Sequence, residues 1–476
     1  MINFVGHFCT ENKNARFIKV GGTIPISSHS YAIQPLGAYS TGMTIDLIKK
    51  CEELKIPYKI DESLFPFLKP DLHINNIESI PNPNIQYRDY QLEIITKMAK
   101  IGYGLFEAPT RSGKSLIIAG LAHNVFLNFD QNKIYNILLL VPTVQLVSQM
   151  YNDFVEYGLT KYWNIQRFSS KFPKVEIKKN NVFIVNHKWL MLHGDQLPAI
   201  DILFCDEVHQ ISKRSLIGDI AKSIEIKNKF GCTGSLPDDD INMWYIKGIF
   251  GPILHSIEIT ELQEREILAD IILTPIQLCH RRKKIFQIQG ETDEERQESA
   301  KRIYRQEVSH LISLDSCNSF VTTLAENILK LKPTDNVLIL FDYIEHGQRL
   351  FELLNNDKKF YIDGTIDVND RQDVVKQMNN TSGGCITVAN AKCFGTGITI
   401  KHIQHIIIVN GGKKSTKFLQ CIGRGLERNK QHLFVYDIFH NYKYSENHFN
   451  ERVEKIYHKS YNLQDGINYT IKKISI

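Results

Sequence analysis

Ala108-Pro109-Thr110-Arg111-Ser112-Gly113-Lys114-Ser115 is the stretch whose reading decides the fold. It follows a short apolar run and opens the helical pattern Leu116 to Ala122. Strand, loop, Gly-Lys-Ser and helix in that order form a phosphate-binding loop. Backbone N–H groups of such a loop and of the helix start converge on an anion. Pro109, Thr110, Arg111, Ser112 and Gly113 would line the phosphates, Lys114 would reach the β and γ phosphates, and the Ser115 hydroxyl would ligate Mg²⁺. The bound nucleotide is therefore expected to be ATP with Mg²⁺.

A second acidic signal lies downstream. Ile200 to Cys205 reads as a buried strand and ends directly on Asp206-Glu207-Val208-His209. Two carboxylates closing an apolar strand are costly unless the charges are used. Asp206 is expected to hold Mg²⁺ through water, and Glu207 to orient and deprotonate an attacking water.

Outward from these two motifs, apolar runs alternate with helical stretches. Ile137 to Val141, Val182 to Val185 and Ile200 to Cys205 recur within about 85–275, and Val337 to Phe341, Ile386 to Ala389 and Ile406 to Val409 within about 319–440. Such alternation predicts α/β architecture with parallel sheets covered on both faces. Between the two blocks, 276–318 reads as a connecting insertion with a basic knot, Arg281 to Lys284, and an acidic cluster, Glu291 to Glu298. Residues 1–80 read as a small N-terminal α/β unit for substrate recognition: Arg16 to Val20 and Tyr58 to Asp61 alternate like strands, and Thr44 to Leu54 carries a helical face. Ile80-Pro81-Asn82-Pro83-Asn84 is expected to be a linker, and 441–476 a helical tail.

The bulk composition fits a globular chain of 476 residues, 43% hydrophobic and 23% charged, with a formal net charge of +5. That balance permits a polyanionic partner without requiring one. The nine cysteines are dispersed with no C-x-x-C pair, which argues against a zinc site and for a reducing compartment. No apolar run approaches the roughly 18 residues of a membrane span. With no signal peptide in Met1 to His7, the expected setting is cytoplasmic, without a membrane.

Together, the two acidic and phosphate-binding motifs resemble motifs I and II of the superfamily-2 helicases, in the DExH branch. The resemblance covers about residues 85–440. It implies two RecA-like parallel-sheet lobes in tandem, with ATP between them. Arg88, Tyr90 and Gln91 resemble a Q-motif, in which Arg88 and Gln91 serve the nucleotide. Val141 to Gln149 resembles motif Ia, with Thr143 and Gln145 on the nucleic-acid backbone; His187 stands near motif Ib. Thr233-Gly234-Ser235-Leu236 stands where motif III couples nucleotide state to movement. Phe394 to Ile398 resembles motif V, placing Thr396 and Gly397 on the nucleic acid.

Gln420-Cys421-Ile422-Gly423-Arg424 resembles motif VI, implying a nucleotide contact by Gln420 and an arginine finger at Arg424. The family's second arginine falls on Glu427 here, and Arg428 follows one position later, still beside the same helix face. Arg111 stands where the family has glycine or a small residue, so its side chain must turn from the phosphates or contact something else.

Within the superfamily, the Thr-Gly-Ser form of motif III, the N-terminal unit, and Gly364 to Ile398 with Arg371 are similar to the UvsW-like group of phage helicases. That resemblance implies a monomeric motor acting on branched DNA. An RNA remodeller and an ATP-gated clamp that does not translocate remain alternatives, because the motifs grip phosphates and read no sugar. A small-molecule kinase would not need motifs V and VI.

Overall fold

The computed structural model describes residues 9–11, 18–19, 23–24, 29–31, 40–59, 72, 74, 76–130, 132–168, 175–212, 215–224, 226–237, 239–284, 286, 293–366, 368–381, 383–395, 403–409, 421–423, 425–426 and 432–476. They divide into two compact units, one of Met1–Pro109 with Gly113–Ile257, the other of Glu258–Ile476 with the short piece Thr110–Ser112.

In the first unit, β1 (Cys9–Glu11) pairs antiparallel with β4 (His29–Tyr31), and β2 (Ile18–Lys19) with β3 (Thr23–Ile24). The main sheet takes β5 (Gly104–Glu107), β6 (Tyr135–Val141), β7 (Asn164–Phe168), β8 (Asn180–Asn186), β9 (Ile202–Cys205), β10 (Asn228–Thr233) and β11 (Ile253–Ser256). Its order is β11-β5-β10-β9-β6-β8-β7 and every pairing is parallel. The central strands are buried apart from the first residues of β6 and β8, Tyr135 and Asn180, because helices cover both faces. Leu138, Leu140, Phe183, Val185, Leu203 and Cys205 meet Phe250 and Ile246 in one apolar cluster.

The second unit repeats the design with β12 (Asp270–Cys279), β13 (Asn336–Phe341), β14 (Lys359–Ile362), β15 (Ile386–Asn390), β16 (Ile403–Val409), β17 (His432–His440) and β18 (Lys472–Ser475). The order is β14-β15-β13-β16-β17-β12-β18, again parallel throughout. All three apolar runs expected as strands in each block are strands, and the fold class is two parallel α/β lobes. No helix among the described residues is long and apolar enough to cross a membrane.

Two boundaries differ from the sequence reading. The expected break at 275/276 falls inside β12, which pairs with β17 and β18 in the second sheet. The apolar run Ile271 to Leu278 carries no turn signal that would reveal this; partner choice is a long-range matter. Of the expected insertion, Asp293–Ser313 is the charged helix. The tail 441–476 begins in helix Lys443–Arg452 but ends in strand β18.

The N-terminal reading is also modified. Helix Thr44–Glu53 forms as the periodicity predicts, whereas Tyr58 and Lys59 are not in a strand, and Arg16, Phe17, Val20, Ile60 and Asp61 lie outside the described residues. The helix docks on the first unit: Lys247 Nζ meets Asp46 Oδ2 at 2.8 Å, and Gly42 lies against the Lys247 carbonyl so closely that a Cβ would not fit. The expected linker is held down, with Asn82 Nδ2 donating to the Glu156 carbonyl at 2.8 Å and Asn82 N–H to the Tyr157 carbonyl at 3.2 Å.

The C-terminal segment is locked by a buried ion pair. Arg452 donates from Nε and Nη2 to the two oxygens of Asp437 on β17, at 2.8 and 2.7 Å, and the Tyr457 hydroxyl donates to Asp437 Oδ2 at 2.6 Å. All three side chains are excluded from solvent. Removing one partner of such a pair strands a charge in the interior. Arg452→Ala is therefore expected to cost about 3–5 kcal/mol. Tyr457→Phe, which removes one hydrogen bond to a charged acceptor, is expected to cost about 1.5–3 kcal/mol. Urea denaturation of the two variants beside the parent chain measures both, and equal losses would contradict this ranking.

Candidate functional site

Parallel pairing gathers the chemistry on one sheet edge. Thr233 of β10 pairs with Glu107 of β5, Gly231 with Cys205 of β9, Cys205 with Leu140 of β6, and Val141 with Asn186 of β8. The strands leave the sheet side by side at their C-terminal ends, the usual ligand edge of an open α/β sheet. There they carry Ala108 to Ser115, Thr233 to Leu236, Asp206 and Glu207, Thr143 to Gln145, and His187.

The loop after β5 turns tightly into helix Lys114–Asn128. Gly113 has φ 85 and Arg111 φ 70, both in the left-handed region. Glycine accepts that region freely and arginine only at a cost, so the departure at Arg111 is a strained one. Lys114 Nζ donates to the Ala108 and Pro109 carbonyls at 3.1 and 3.4 Å, folding its ammonium back over the loop.

Gln91 is buried against this loop. Its Oε1 accepts from the Arg88 N–H at 2.9 Å, closing the first turn of helix Asp89–Ile101, and its Nε2 fills the space where a Gly113 Cβ would stand. Arg88 Nη1 donates to the Tyr90 hydroxyl at 3.0 Å. Gln91 thus supports the loop directly.

Asp206 caps β9 and is 3% exposed. Burial, then the neighbouring Glu207 carboxylate, push its carboxyl up to about 6, while Lys114, the Cys232 thiol and the Glu207 N–H pull the other way. Oδ1 accepts from the Glu207 N–H at 2.9 Å and from the Cys232 thiol at 3.2 Å. Glu207 sits at φ 54, a left-handed conformation for a non-glycine residue next to a buried acid. His209 Nδ1 lies 3.1 Å from Glu207 Oε2 and 2.8 Å from Thr233 Oγ1, joining the acidic motif to the Thr-Gly-Ser loop.

Ser115 has a less expected setting. Its Oγ lies 2.9 Å from the Tyr157 hydroxyl, and the Asp153 carboxylate shares its hydroxyl. Burial raises Asp153 to about 6 against that hydrogen bond. Asp153 is thus a second carboxylate near the loop, one hydrogen bond from Ser115, where spacing drew attention to Asp206 alone.

On the neighbouring strand ends, Thr143 caps helix Val144–Glu156 by accepting from the Leu146 N–H at 3.3 Å, and Gln145 is half-buried. His187 opens the short helix after β8; its Nδ1 is buried with no hydrogen-bond partner among the described residues. Gln420, Arg424, Arg428, Thr396 and Gly397 lie outside the described residues. Around them, Phe394, Cys421, Ile422 and Leu426 are buried, and the Cys421 thiol donates to the Ala391 carbonyl at 3.4 Å.

Sequence reasoning missed Glu107. It ends β5 immediately before the phosphate-binding loop. Its Oε1 accepts from the Leu236 N–H at 2.9 Å, its Oε2 from the Ser256 hydroxyl at 2.7 Å, and its carbonyl from the Ile257 N–H at 3.0 Å. One residue thus ties the loop strand to the Thr-Gly-Ser loop and to the end of β11. The signal was present: Glu107 is a charge closing an apolar strand, as Asp206 is. Cys232, Asp153 and Tyr157 gave no such signal.

The chain is similar to known proteins over both units. Residues 84–237 match the type III restriction enzyme res subunit family, and residues 320–428 the helicase conserved C-terminal domain. Over 414 residues the chain is 27% identical to the ATP-dependent DNA helicase uvsW of Enterobacteria phage T4, across 83% of this chain and 78% of that protein. It is 22% identical over 397 residues to putative helicase 22 of Sulfolobus islandicus filamentous virus (isolate Iceland/Hveragerdi), across 75% of this chain and 65% of the relative. The ATP-dependent type ISP restriction-modification enzyme LlaBIII, solved bound to DNA, shares the fold at 12% identity with a TM-score of 0.59, over 82% of this chain and 31% of that one.

The buried acid makes a pH-dependent prediction. An exposed aspartate titrates near about 4, and the folded chain holds Asp206 protonated up to about 6. A raised folded-state value means that stability from this group is present at low pH and is lost as pH rises from about 4 through about 6. Asp206→Asn removes the charge. Its melting temperature is expected to exceed the parent's by about 5–10 °C at pH 7.5, since raising the carboxyl from about 4 to about 6 corresponds to roughly 2.7 kcal/mol, and to match it at pH 4. Equal melting at pH 7.5 would show that the buried charge carries no net cost.

Proposed function

The chain belongs to the superfamily-2 helicases of the DExH type and is an ATP-dependent helicase, and we propose that it acts on DNA, remodelling forks and branched junctions. One observation carries the catalytic part of the reading. Asp206, a solvent-excluded carboxyl, stands beside Glu207 and in the field of Lys114 at one strand edge. The phage T4 relative, named a DNA helicase, supports DNA as the polymer.

In the proposed mechanism Lys114 releases the Ala108 and Pro109 carbonyls and turns its ammonium to the β and γ phosphates. Loop N–H groups and the start of helix Lys114–Asn128 hold the same phosphates. The oxygen donors fit Mg²⁺: Asp206 and Ser115 would hold it, and it would supply charge neutralisation between the phosphates. Glu207, fixed by its left-handed backbone and by His209, orients water and accepts its proton. Arg424, with Arg428 beside it, stabilises charge developing on the transferred phosphoryl group.

His209 and Glu107 both reach the Thr-Gly-Ser loop, so the state of the phosphate site is passed to that loop through hydrogen bonds. Thr143, Gln145 and His187 supply backbone contacts on the nucleic acid, and Thr396 and Gly397 supply more. Preference for a junction over a plain strand needs contacts beyond phosphate gripping, and the N-terminal segment with helix Thr44–Glu53 is assigned that role.

ATP turnover measured with single-stranded DNA, forks, four-way junctions and RNA tests the reading. Hydrolysis is expected to rise strongly with DNA and most with forks and junctions. Lys114→Ala abolishes it, and Glu207→Gln leaves ATP bound but barely hydrolysed. Arg424→Ala lowers kcat by about a thousandfold with little change in ATP affinity. Turnover indifferent to every polymer would sink the motor, while equal stimulation by RNA would move the substrate class away from DNA.

A further inference from the structure

The C-terminal edge of the second sheet carries a side-chain cluster that ATP hydrolysis does not use. Leu278 of β12 pairs with His440 of β17, so His280 and His440 leave the sheet together. His280 Nε2 lies 3.0 Å from His440 Nδ1. Helix Asp315–Leu331 starts above this point and sets Cys317 in its first turn against the two rings. The two imidazole nitrogens and the thiol sulfur all lie within 4.8 Å of one another. His440 and Cys317 are 1% and 4% exposed, and His280 is half-buried.

We propose that His280, Cys317 and His440 bind a divalent transition metal, with zinc as the biological ion. The donor set selects the metal. Two imidazoles and one thiolate are borderline-soft ligands that suit zinc and disfavour Mg²⁺ and Ca²⁺, which take oxygen.

The spacing suits a tetrahedral ion. Bonds of about 2.0–2.1 Å to nitrogen and about 2.3 Å to sulfur place nitrogens roughly 3.3 Å apart and sulfur roughly 3.6 Å from each. The histidine pair is within a few tenths of that separation, and the sulfur, within 4.8 Å of both nitrogens, would draw closer as its bond to the ion forms. Three protein ligands leave a fourth position for water.

Binding displaces the Cys317 thiol proton to solvent as the sulfur–metal bond forms, so the ion's two positive charges are offset by one thiolate. Burial, which pushes this thiol up to about 11, makes that exchange favour high pH. Burial also holds His440, down to about 3, as a neutral imidazole with a lone pair to give.

Two further observations surround the site. His346, on the neighbouring helix Ile344–Leu353, is buried with its Nδ1 lacking a hydrogen-bond partner among the described residues, while its Nε2 lies 3.0 Å from Asn318 Oδ1, one residue after Cys317. His280 immediately precedes the exposed basic run Arg281 to Lys284, which is tied to the same edge by the Lys284 N–H donating to the Tyr442 hydroxyl at 2.9 Å. A metal at His280 would anchor the root of that run.

Cobalt titration of the full chain after removal of metal by a chelator tests the site. One Co²⁺ per chain is expected, with intense tetrahedral ligand-field bands and a thiolate-to-metal charge-transfer band. Cys317→Ala should abolish the charge-transfer band, and His280→Ala should weaken zinc binding, read by competition with a chromophoric chelator, by at least about tenfold. Cys279→Ala, next to the site in sequence, should retain the band. Cys317→Ser serves if the alanine variant does not fold by circular dichroism. No saturable charge-transfer band in the parent chain, or a band that survives Cys317→Ala or Cys317→Ser, would overturn the proposal.

Discussion

A carboxyl group held out of water at the end of a strand is the constraint on which the site depends. Asp206 is shut off from solvent, and among the described residues it meets the Cys232 thiol, the Glu207 N–H and carboxylate, and the field of Lys114. An acid in that position is poised between charge states. Any cation brought to it is strongly preferred, because a low-dielectric setting magnifies the attraction. The neighbouring loop is built to bring an anion to the same place. The two halves complement each other, and each is unfavourable alone.

Parallel pairing makes that complement possible. A strand joined to the next through a helix returns in the same direction, so all the C-terminal ends fall on one edge. Residues as distant in sequence as Lys114, Asp206 and Thr233 become neighbours because β5, β10 and β9 are adjacent. The connections between these residues then run through short hydrogen bonds, from His209 to Thr233 and from Glu107 to Leu236. Strain is concentrated in the same place. Glu207 and Arg111 both adopt left-handed backbone, and rigid, fully buried strands on either side hold them there.

The second unit shows the same sheet used differently. Its strand ends carry histidines that meet a thiol from helix Asp315–Leu331, and its C-terminal segment is locked down by Asp437, Arg452 and Tyr457. A fully buried ion pair of this kind favours one arrangement over others because any misplacement leaves a charge unmatched. That fixes β17, and through it β12, which carries His280 and His440 to one point.

The sequence by itself determined the strand runs, the phosphate-binding loop, the acidic strand end and the order of the remaining motifs. Those features are local: a strand's burial is written in its own apolar residues, and a loop that binds phosphate needs particular residues at fixed spacing. The helix at Thr44–Glu53 was legible for the same reason, since its apolar positions repeat within the helix itself. Glu107 gave the same signal as Asp206 and was passed over.

Tertiary structure alone decided which sheet Asp270–Cys279 joins, that the segment 441–476 ends in a strand of that sheet, and that the presumed linker at Pro81 lies hydrogen-bonded along the first lobe. It alone brought Asp153 and Tyr157 to Ser115, Cys232 to Asp206, and Cys317 to His280 and His440, residues whose separations match no spacing rule. The physical reason is that strand order and register are set by the packing of whole faces, and a residue's own neighbours in the chain carry no record of what that packing sets against it.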